Sequence, residues 1–378
     1  MAFPSTEQVQ SALATVLDPE IRRPITELGM VDAVDIDADG VVTVTVLLTV
    51  SGCPLRDTIT KDVTAAVSRL DGVTGVQVRM GTMSKEQLND LQGRLRGGQA
   101  EREVPFAQPG SLTRVYAVAS GKGGVGKSSV TVNLAAAMAA DGLKVGVVDA
   151  DIYGHSVPRM LGVSGLPTRL DQMLLPPVAH DVKVISVGMF TPGNAAVVWR
   201  GPMLHRALQQ FLSDVYWGDL DVLLLDLPPG TGDVAISVAQ LIPSAEILLV
   251  TTPQQAAAEV AERAGTIALQ THQHVVGVIE NMSWLPCPHC GETVDVFGTG
   301  GGQAVADGVA KALGTPVPVL GQVPIDVRLR EGGDAGLPLV LSDPSSPAAV
   351  VLREIASTLT RRSRGLSGRA LGLTPAGR

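Results

Sequence analysis

The stretch Gly121-Lys122-Gly123-Gly124-Val125-Gly126-Lys127-Ser128 constrains this chain more than any other. It fits the pattern G-x-x-x-x-G-K-[ST]. Glycines let the backbone fold so tightly that several N–H groups face one anion. Lys127 supplies a point charge for β- and γ-phosphates, and the Ser128 hydroxyl reaches a magnesium ion. The flanks agree with the motif. Arg114–Ser120 is a short apolar, β-branched run that reads as a buried strand, and Ser129–Ala140 is Ala-rich and helical, with Gly142 placed as a C-cap. Strand, glycine loop and helix N-terminus together make a phosphate seat, here residues 121–129. Lys122 is an extra cation, directly after the first glycine of the loop. It does not fold back easily onto its own phosphates but can reach a partner chain's nucleotide, neutralising charge there as an arginine finger does.

From residue 114 onward, apolar strands alternate with helical stretches. The candidate strands are Val115–Ala119, Lys144–Val148, Val182–Val187, Val222–Leu225, Glu246–Thr251, Val275–Ile279 and Val317–Leu320. That alternation predicts an α/β domain whose mostly parallel sheet is flanked by helices on both faces. Carboxylates at the C-terminal ends of such strands face the ligand crevice. Asp149 and Asp151, in Asp149-Ala150-Asp151-Ile152-Tyr153-Gly154, qualify. One can orient an attacking water while the other braces the loop or the metal; either by itself also fits a helix N-cap. Asp226 ends Asp221-Val-Leu-Leu-Leu-Asp226 and precedes Leu227-Pro-Pro-Gly-Thr-Gly-Asp233. An apolar strand closed by aspartate is the Walker B pattern, so Asp226 is predicted to hold Mg²⁺ and the following loop to sense the γ-phosphate. Asn281, in Glu280-Asn281-Met282, is a candidate reader of adenine or else a turn residue. No guanine-reading Asn/Thr-Lys-x-Asp motif is present, which favours ATP over GTP. Gly298–Gly302 reads as a turn leading into a helix.

Cys287-Pro288-His289-Cys290 suits a metal, a cluster or a dithiol. A tetrahedral zinc or a cubane cluster needs about four ligands. One chain offers two thiols here, and the position of His289 inside the loop argues against it as a third ligand. A twofold axis relating two chains would bring two pairs together. A structural zinc site stays open, and a thioredoxin-like site is disfavoured because this pair does not open a helix after a first strand.

The chain has 378 residues, enough for two or three domains. Residues 1–90 read as a small α/β domain. It has a helix over Thr6–Val16, strands Met30–Ile36 and Val41–Leu48 around the Asp37–Gly40 turn, an amphipathic Leu55–Leu70 and a strand Val73–Met80. Cys53 sits where strand turns to helix, as a small hydrophobe or as a thiol of lowered pKa. Residues 91–112 read as a Gly/Pro/charge-rich linker, 113–360 as the phosphate-binding domain and 361–378 as a disordered basic tail. The net charge is −8 and aromatic residues make up 3% of the chain, which disfavours a general nucleic-acid partner. No apolar run reaches ~18 residues and the start lacks a leader pattern, so neither membrane nor export is expected and the reading is cytoplasmic.

The loop G-K-G-G-V-G-K-S resembles the deviant phosphate loop of the MinD/ParA/nitrogenase-iron-protein class of dimeric ATPases. In that class the first lysine acts across the dimer and the switch I aspartate, matching Asp151, polarises the water. Residues 1–90, with Asp18-Pro19-Glu20 and Gly52-Cys53-Pro54, resemble the MIP18-like (PaaD-like) module. With Asp149-Ala-Asp-Ile-Tyr-Gly, Leu227-Pro-Pro-Gly-Thr-Gly-Asp, Glu280-Asn-Met-Ser and the Cys-Pro-x-Cys pair, nearly the whole chain resembles the Mrp/ApbC iron–sulfur carrier ATPases. The resemblance implies a P-loop NTPase fold and a homodimer. It further implies a four-iron–four-sulfur cluster bridged by Cys287 and Cys290 of two chains, delivered from an assembly scaffold to client apoproteins under the control of ATP and Mg²⁺. His155 departs from it, standing where the family often has proline. The rival readings are a MinD/ParA-like positioning ATPase acting on DNA or membrane, and a zinc-stapled regulatory ATPase.

Overall fold

The structure is a computed structural model of the chain. It describes residues 3–49, 56–96, 103–108, 110–151, 154–170, 173–190, 201–230, 233–254, 266, 268–287 and 289–361. The chain forms two compact units. The first comprises Met1–Glu101 with the segment Thr168–Leu175, and the second Arg102–Pro167 with Pro176–Arg378.

In the first unit, β1 (Val31–Ile36) and β2 (Val41–Leu48) pair as an antiparallel hairpin. Its turn is closed by the Asp37 carboxylate, which accepts from the amides of Asp39 and Val41, both at 2.9 Å, while Gly40 takes a φ of +80°. Helix α2 (Arg56–Val67) buries Ile59, Val63 and Val67 and carries the chain over to β3 (Gly75–Thr82), which runs parallel to β2. Helix α1 (Thr6–Leu13) opens on Ser5 with a reciprocal capping box to Gln8. A third helix, α3 (Lys85–Arg96), runs into the expected linker because Leu91 is a core residue. The linker is further shortened in the second unit, where Phe106 is buried edge-on to Trp217 at 6.4 Å. Cys53 lies outside the described residues.

The second unit is built on an eight-stranded sheet. Its strands are β4 (Arg114–Ala119), β5 (Val145–Asp149), β8 (Val178–Ala179), β9 (Val182–Ser186), β10 (Val222–Asp226), β11 (Glu246–Thr251), β12 (Val275–Asn281) and β15 (Val319–Val323). Their order is β15-β12-β11-β4-β10-β5-β9-β8, parallel except at the short edge strand β8. The last parallel strand starts two residues later than the sequence suggests. Pro318 has no N–H for a ladder, and its carbonyl instead accepts from Val278. The intervening β6 (Thr168–Leu170) and β7 (Met173–Leu175) form an antiparallel pair that belongs with the first unit, where Thr168 Oγ1 donates to Glu20 at 3.1 Å. A further two-stranded ribbon, β13 (Leu285–Pro286) with β14 (Thr293–Val294), follows β12.

Helix α4 (Lys127–Ala140) has apolar residues on every side, and Val130 through Ala139 are buried. A helix apolar all round belongs inside. It lies beneath the helix Pro347–Arg361, whose Leu352, Ile355 and Leu359 are fully buried in the same core. The phosphate loop is thereby fixed to a helix packed on every side. Among the described residues no helix is long and apolar enough to cross a membrane.

Candidate functional site

β4, β10 and β5 are adjacent and parallel, so the loops at their C-terminal ends meet. Leu227 and Gly230 donate backbone bonds to Val118 and Ser120 of the first strand's exit, and Ala150 donates to the carbonyl of Asp226. This brings the loop 121–128, Asp151 and Pro229 around one open cleft of about 240 Å³, lined also by Ser129, Ser156 and Met160. Gly124 and Gly126 both take φ of +78°, the left-handed region that gives the cradle its curl.

Lys127 is buried and its Nζ lies 2.6 Å from Asp226 Oδ2 and 3.4 Å from Ser128 Oγ. The Ser128 hydroxyl donates to the same carboxylate oxygen at 2.6 Å, and Thr131 Oγ1 donates to Oδ1 at 2.7 Å. Ser128 and Asp226, the two expected magnesium ligands, thus stand side by side as hard oxygen donors, which suits that ion. Lys122 is half-buried, and its Nζ donates to Gln254 Oε1 of the same chain. Asp151 lines the cleft, but Oδ1 accepts from the Gly154 amide at 3.0 Å, so it also braces the turn after β5.

Asp149 sits in register with Asp226 on the neighbouring strand. It accepts from the Asp151 and Val157 amides, both at 3.2 Å, and from Ser186 Oγ at 3.1 Å. It is therefore a brace of the switch rather than a cleft group. Burial, then the nearby Asp226 charge, hold its carboxyl well above the ordinary aspartate range. The folded chain keeps that proton where the unfolded chain has lost it. Stability should therefore fall as pH rises from the ordinary aspartate pKa through the raised value, and level off above it. Thermal melts of nucleotide-free protein across this range should show that slope, and Asp149→Asn should flatten it.

Asn281 does not stand free. Its Nδ2 donates to the Val125 carbonyl at 2.9 Å, from the buried end of β12. A Cβ on Gly126 would lie 2.2 Å from that nitrogen. Gly126→Ala thus meets a steric clash as well as a left-handed backbone, itself worth about 1–2 kcal/mol. We expect it to lower the melting temperature and abolish nucleotide binding, as read by a fluorescent ADP analogue.

Glu280 carries a role that the sequence reading missed. Fully buried, it accepts from Ser283 Oγ, from the Gly302 amide at the start of the helix Gly301–Leu313, and from Gln322 Nε2 at 2.8 Å. An acid inside an otherwise apolar strand was the available signal. The glycine run 298–302 does lead into a helix, and a Cβ on Gly301 would strike the Thr252 carbonyl at 2.4 Å. The exposed His155 places its ring where a Cβ on Gly188 would lie, 2.3 Å away, so Gly188 has to stay a glycine.

Cys287 and Cys290 occupy the turn of the β13–β14 ribbon. The Cys287 amide donates to Glu292 at 2.8 Å, and Gly291, with φ of +76°, donates back to the Cys287 carbonyl at 2.9 Å. Cys287 is half-buried and Cys290 exposed. Backbone N–H groups of Cys290 and His289 lower the Cys287 pKa, which favours the thiolate a metal needs. Among the described residues no group of three or more His, Cys, Asp or Glu is placed to hold a metal ion. Pro288, Ile152, Tyr153, Thr231 and Gly232 lie outside the described residues.

Comparison with known proteins agrees with this layout. The family described as NUBPL iron-transfer P-loop NTPase matches residues 111–360, and that described as iron–sulfur cluster assembly protein matches residues 6–78. An iron–sulfur cluster carrier protein of Mycobacterium tuberculosis is 63% identical over 367 residues, covering 97% of this chain and 96% of its own. One from Deinococcus radiodurans is 43% identical over 350 residues, covering 92% and 93%. Among solved structures, a nucleotide-binding protein from Archaeoglobus fulgidus in complex with ADP is similar with a TM-score of 0.51 at 35% identity, over 61% of this chain and 92% of that one. With its phosphate loop, its aspartate-ended strand and its cysteine ribbon in one compact unit, the chain belongs to the NUBPL iron-transfer family of P-loop NTPases.

Proposed function

We propose that the chain is an ATP-dependent iron–sulfur cluster carrier. Two copies hold one four-iron–four-sulfur cluster between their Cys287/Cys290 pairs and pass it to client apoproteins in the cytoplasm. One observation carries this reading. A single chain presents two thiols at a ribbon turn with no third metal ligand grouped beside them among the described residues, on the same domain as a complete nucleotide seat. A second copy supplies the two missing thiolates by symmetry.

ATP binds in the cradle 121–129, whose Val125 carbonyl is held by the Asn281 amide. Lys127 leaves Asp226 for the β- and γ-phosphates. Ser128 and Asp226 would hold Mg²⁺, which would supply positive charge against the phosphates. Asp151 orients the water, whose oxygen bonds to the γ-phosphorus as the bond to the β–γ bridging oxygen breaks. Lys122 leaves Gln254 and reaches the partner's nucleotide, so the closed dimer is favoured with ATP. Hydrolysis releases the loop after Asp226 and loosens the interface. The cluster is cargo, and an assembly scaffold supplies it.

A positioning ATPase that docks by an amphipathic terminal helix is less well supported. The helix Pro347–Arg361 already spends its apolar face on the core. The test is anaerobic reconstitution with iron, sulfide and zinc analysis. Four irons and four sulfides per two chains, with a broad visible absorption band, support the carrier. A colourless zinc protein refutes it.

A further inference from the structure

Asn281 and the residue after it join the nucleotide loop to the cysteine ribbon. The Asn281 amide holds the Val125 carbonyl at 2.9 Å. Val125 C=O and Gly126 N–H belong to one trans peptide plane and point opposite ways. Holding the carbonyl therefore aims the Gly126 N–H away from Asn281, and it fixes the plane of a peptide that lines the cleft. Met282 follows with φ of +56°, a conformation few non-glycine residues adopt. Its Cε lies at van der Waals range of the Gly126 position, 3.5 Å from a Cβ built there. Two consecutive side chains thus neighbour the last glycine of the loop.

The chain then runs to Cys287 without slack. The Ser283 amide donates to Val323 at 2.9 Å, and the Trp284 carbonyl accepts from Ile325 at 2.7 Å, so both residues are fastened to the far edge of the sheet. Glu280 fastens the near side through Ser283, Gln322 and Gly302. Leu285 and Pro286 enter the ribbon strand, and Cys287 comes next. A strap tied at its start, middle and end has few ways to absorb a change at the loop except by moving the turn that carries the thiols.

We propose that Asn281 is a positioning residue that couples the nucleotide loop to the cysteine ribbon, so that nucleotide occupancy changes the presentation of Cys287 and Cys290. The proposal rests on the reading that nucleotide and cargo share this domain. Coupling of binding free energies is reciprocal, so cargo on the ribbon changes nucleotide affinity by the same factor.

The test uses the full-length, reduced, metal-free protein and needs neither hydrolysis nor cluster. N-ethylmaleimide labelling of Cys287 and Cys290 is followed by peptide mass spectrometry, with and without a magnesium complex of a non-hydrolysable ATP analogue. In the native chain the nucleotide should change the labelling rate by about threefold or more. Asn281→Ala should still bind a fluorescent ADP analogue and lose that response. Thiols of the native chain that ignore the nucleotide, or an Asn281→Ala protein that responds as the native one does, overturn the proposal. If Asn281→Ala fails to bind, Met282→Gly decides, because it frees the strap while keeping the amide contact: retained binding with a lost response supports coupling, and a retained response refutes it. Iron and sulfide analysis of the reconstituted native protein tests the carrier reading separately.

Discussion

Replacing Cys287 and Cys290 together with alanine is expected to bring iron and sulfide after reconstitution down to the background of a protein with no site. ATP hydrolysis should stay within about threefold of the native rate and the melting temperature should hardly move, because exposed substitutions away from packing usually cost under about 0.5 kcal/mol. The ribbon turn explains the separation. Cys290 is exposed and Cys287 half-buried, and the contacts that shape the turn are backbone bonds from Cys287 and Gly291 that alanine leaves in place. With two thiols per chain, a dimer of the single variant Cys290→Ala keeps two of the four ligands that a cubane cluster uses. Single replacement should therefore lose nearly as much cluster as the double one. Full iron and sulfide in the double variant would move the cargo site away from the ribbon, with Cys53 as the remaining thiol to examine.

The parts of this site that were legible in the sequence are those whose chemistry is local. A glycine loop between an apolar strand and an Ala-rich helix, and an aspartate closing an apolar strand, each declare themselves in about ten residues. Both stand in the structure where the sequence put them, with Lys127, Ser128 and Asp226 in mutual contact. What stayed hidden depends on long-range pairing. Asn281 reads as an adenine contact or a turn residue, and its bond to Val125, 156 residues away in the chain, shows only once β12 is paired. Glu280 reads as an unremarkable acid until Gly302 and Gln322 are folded onto it. The pair β6–β7 interrupts the second unit in sequence and joins the first in space, which no composition shift announces. Pro318 was a local signal available to the reading: a strand cannot take ladder bonds through it, so the strand begins at Val319.

The two lysines of the loop should give the same loss of activity, but only the Lys127 replacement should cost stability. Lys127→Ala is expected to stop ATP hydrolysis, a fall of about a thousandfold or more, since one well-placed cation on the transferring phosphate is worth that much. It should also destabilise the nucleotide-free protein. Lys127 is the cation against Asp226, and Asp149 stands beside that carboxylate in register, so alanine leaves buried acid groups with no positive neighbour in hydrogen-bond range. Breaking a buried pair from one side costs about 3–5 kcal/mol. Lys122→Ala removes only a bond to the exposed Gln254, so its melting temperature should match the native one. Its hydrolysis should nonetheless fall as far if, as proposed, the charge it supplies acts on the partner's nucleotide. Mixing the two inactive proteins separates these roles. In a mixed dimer the Lys122→Ala chain keeps an intact nucleotide seat and receives Lys122 from the Lys127→Ala chain, so one site of two works. Random pairing makes half the dimers mixed, and activity should recover to about a quarter of the native rate. No recovery, in a mixture shown to exchange subunits, would place the action of Lys122 within its own chain.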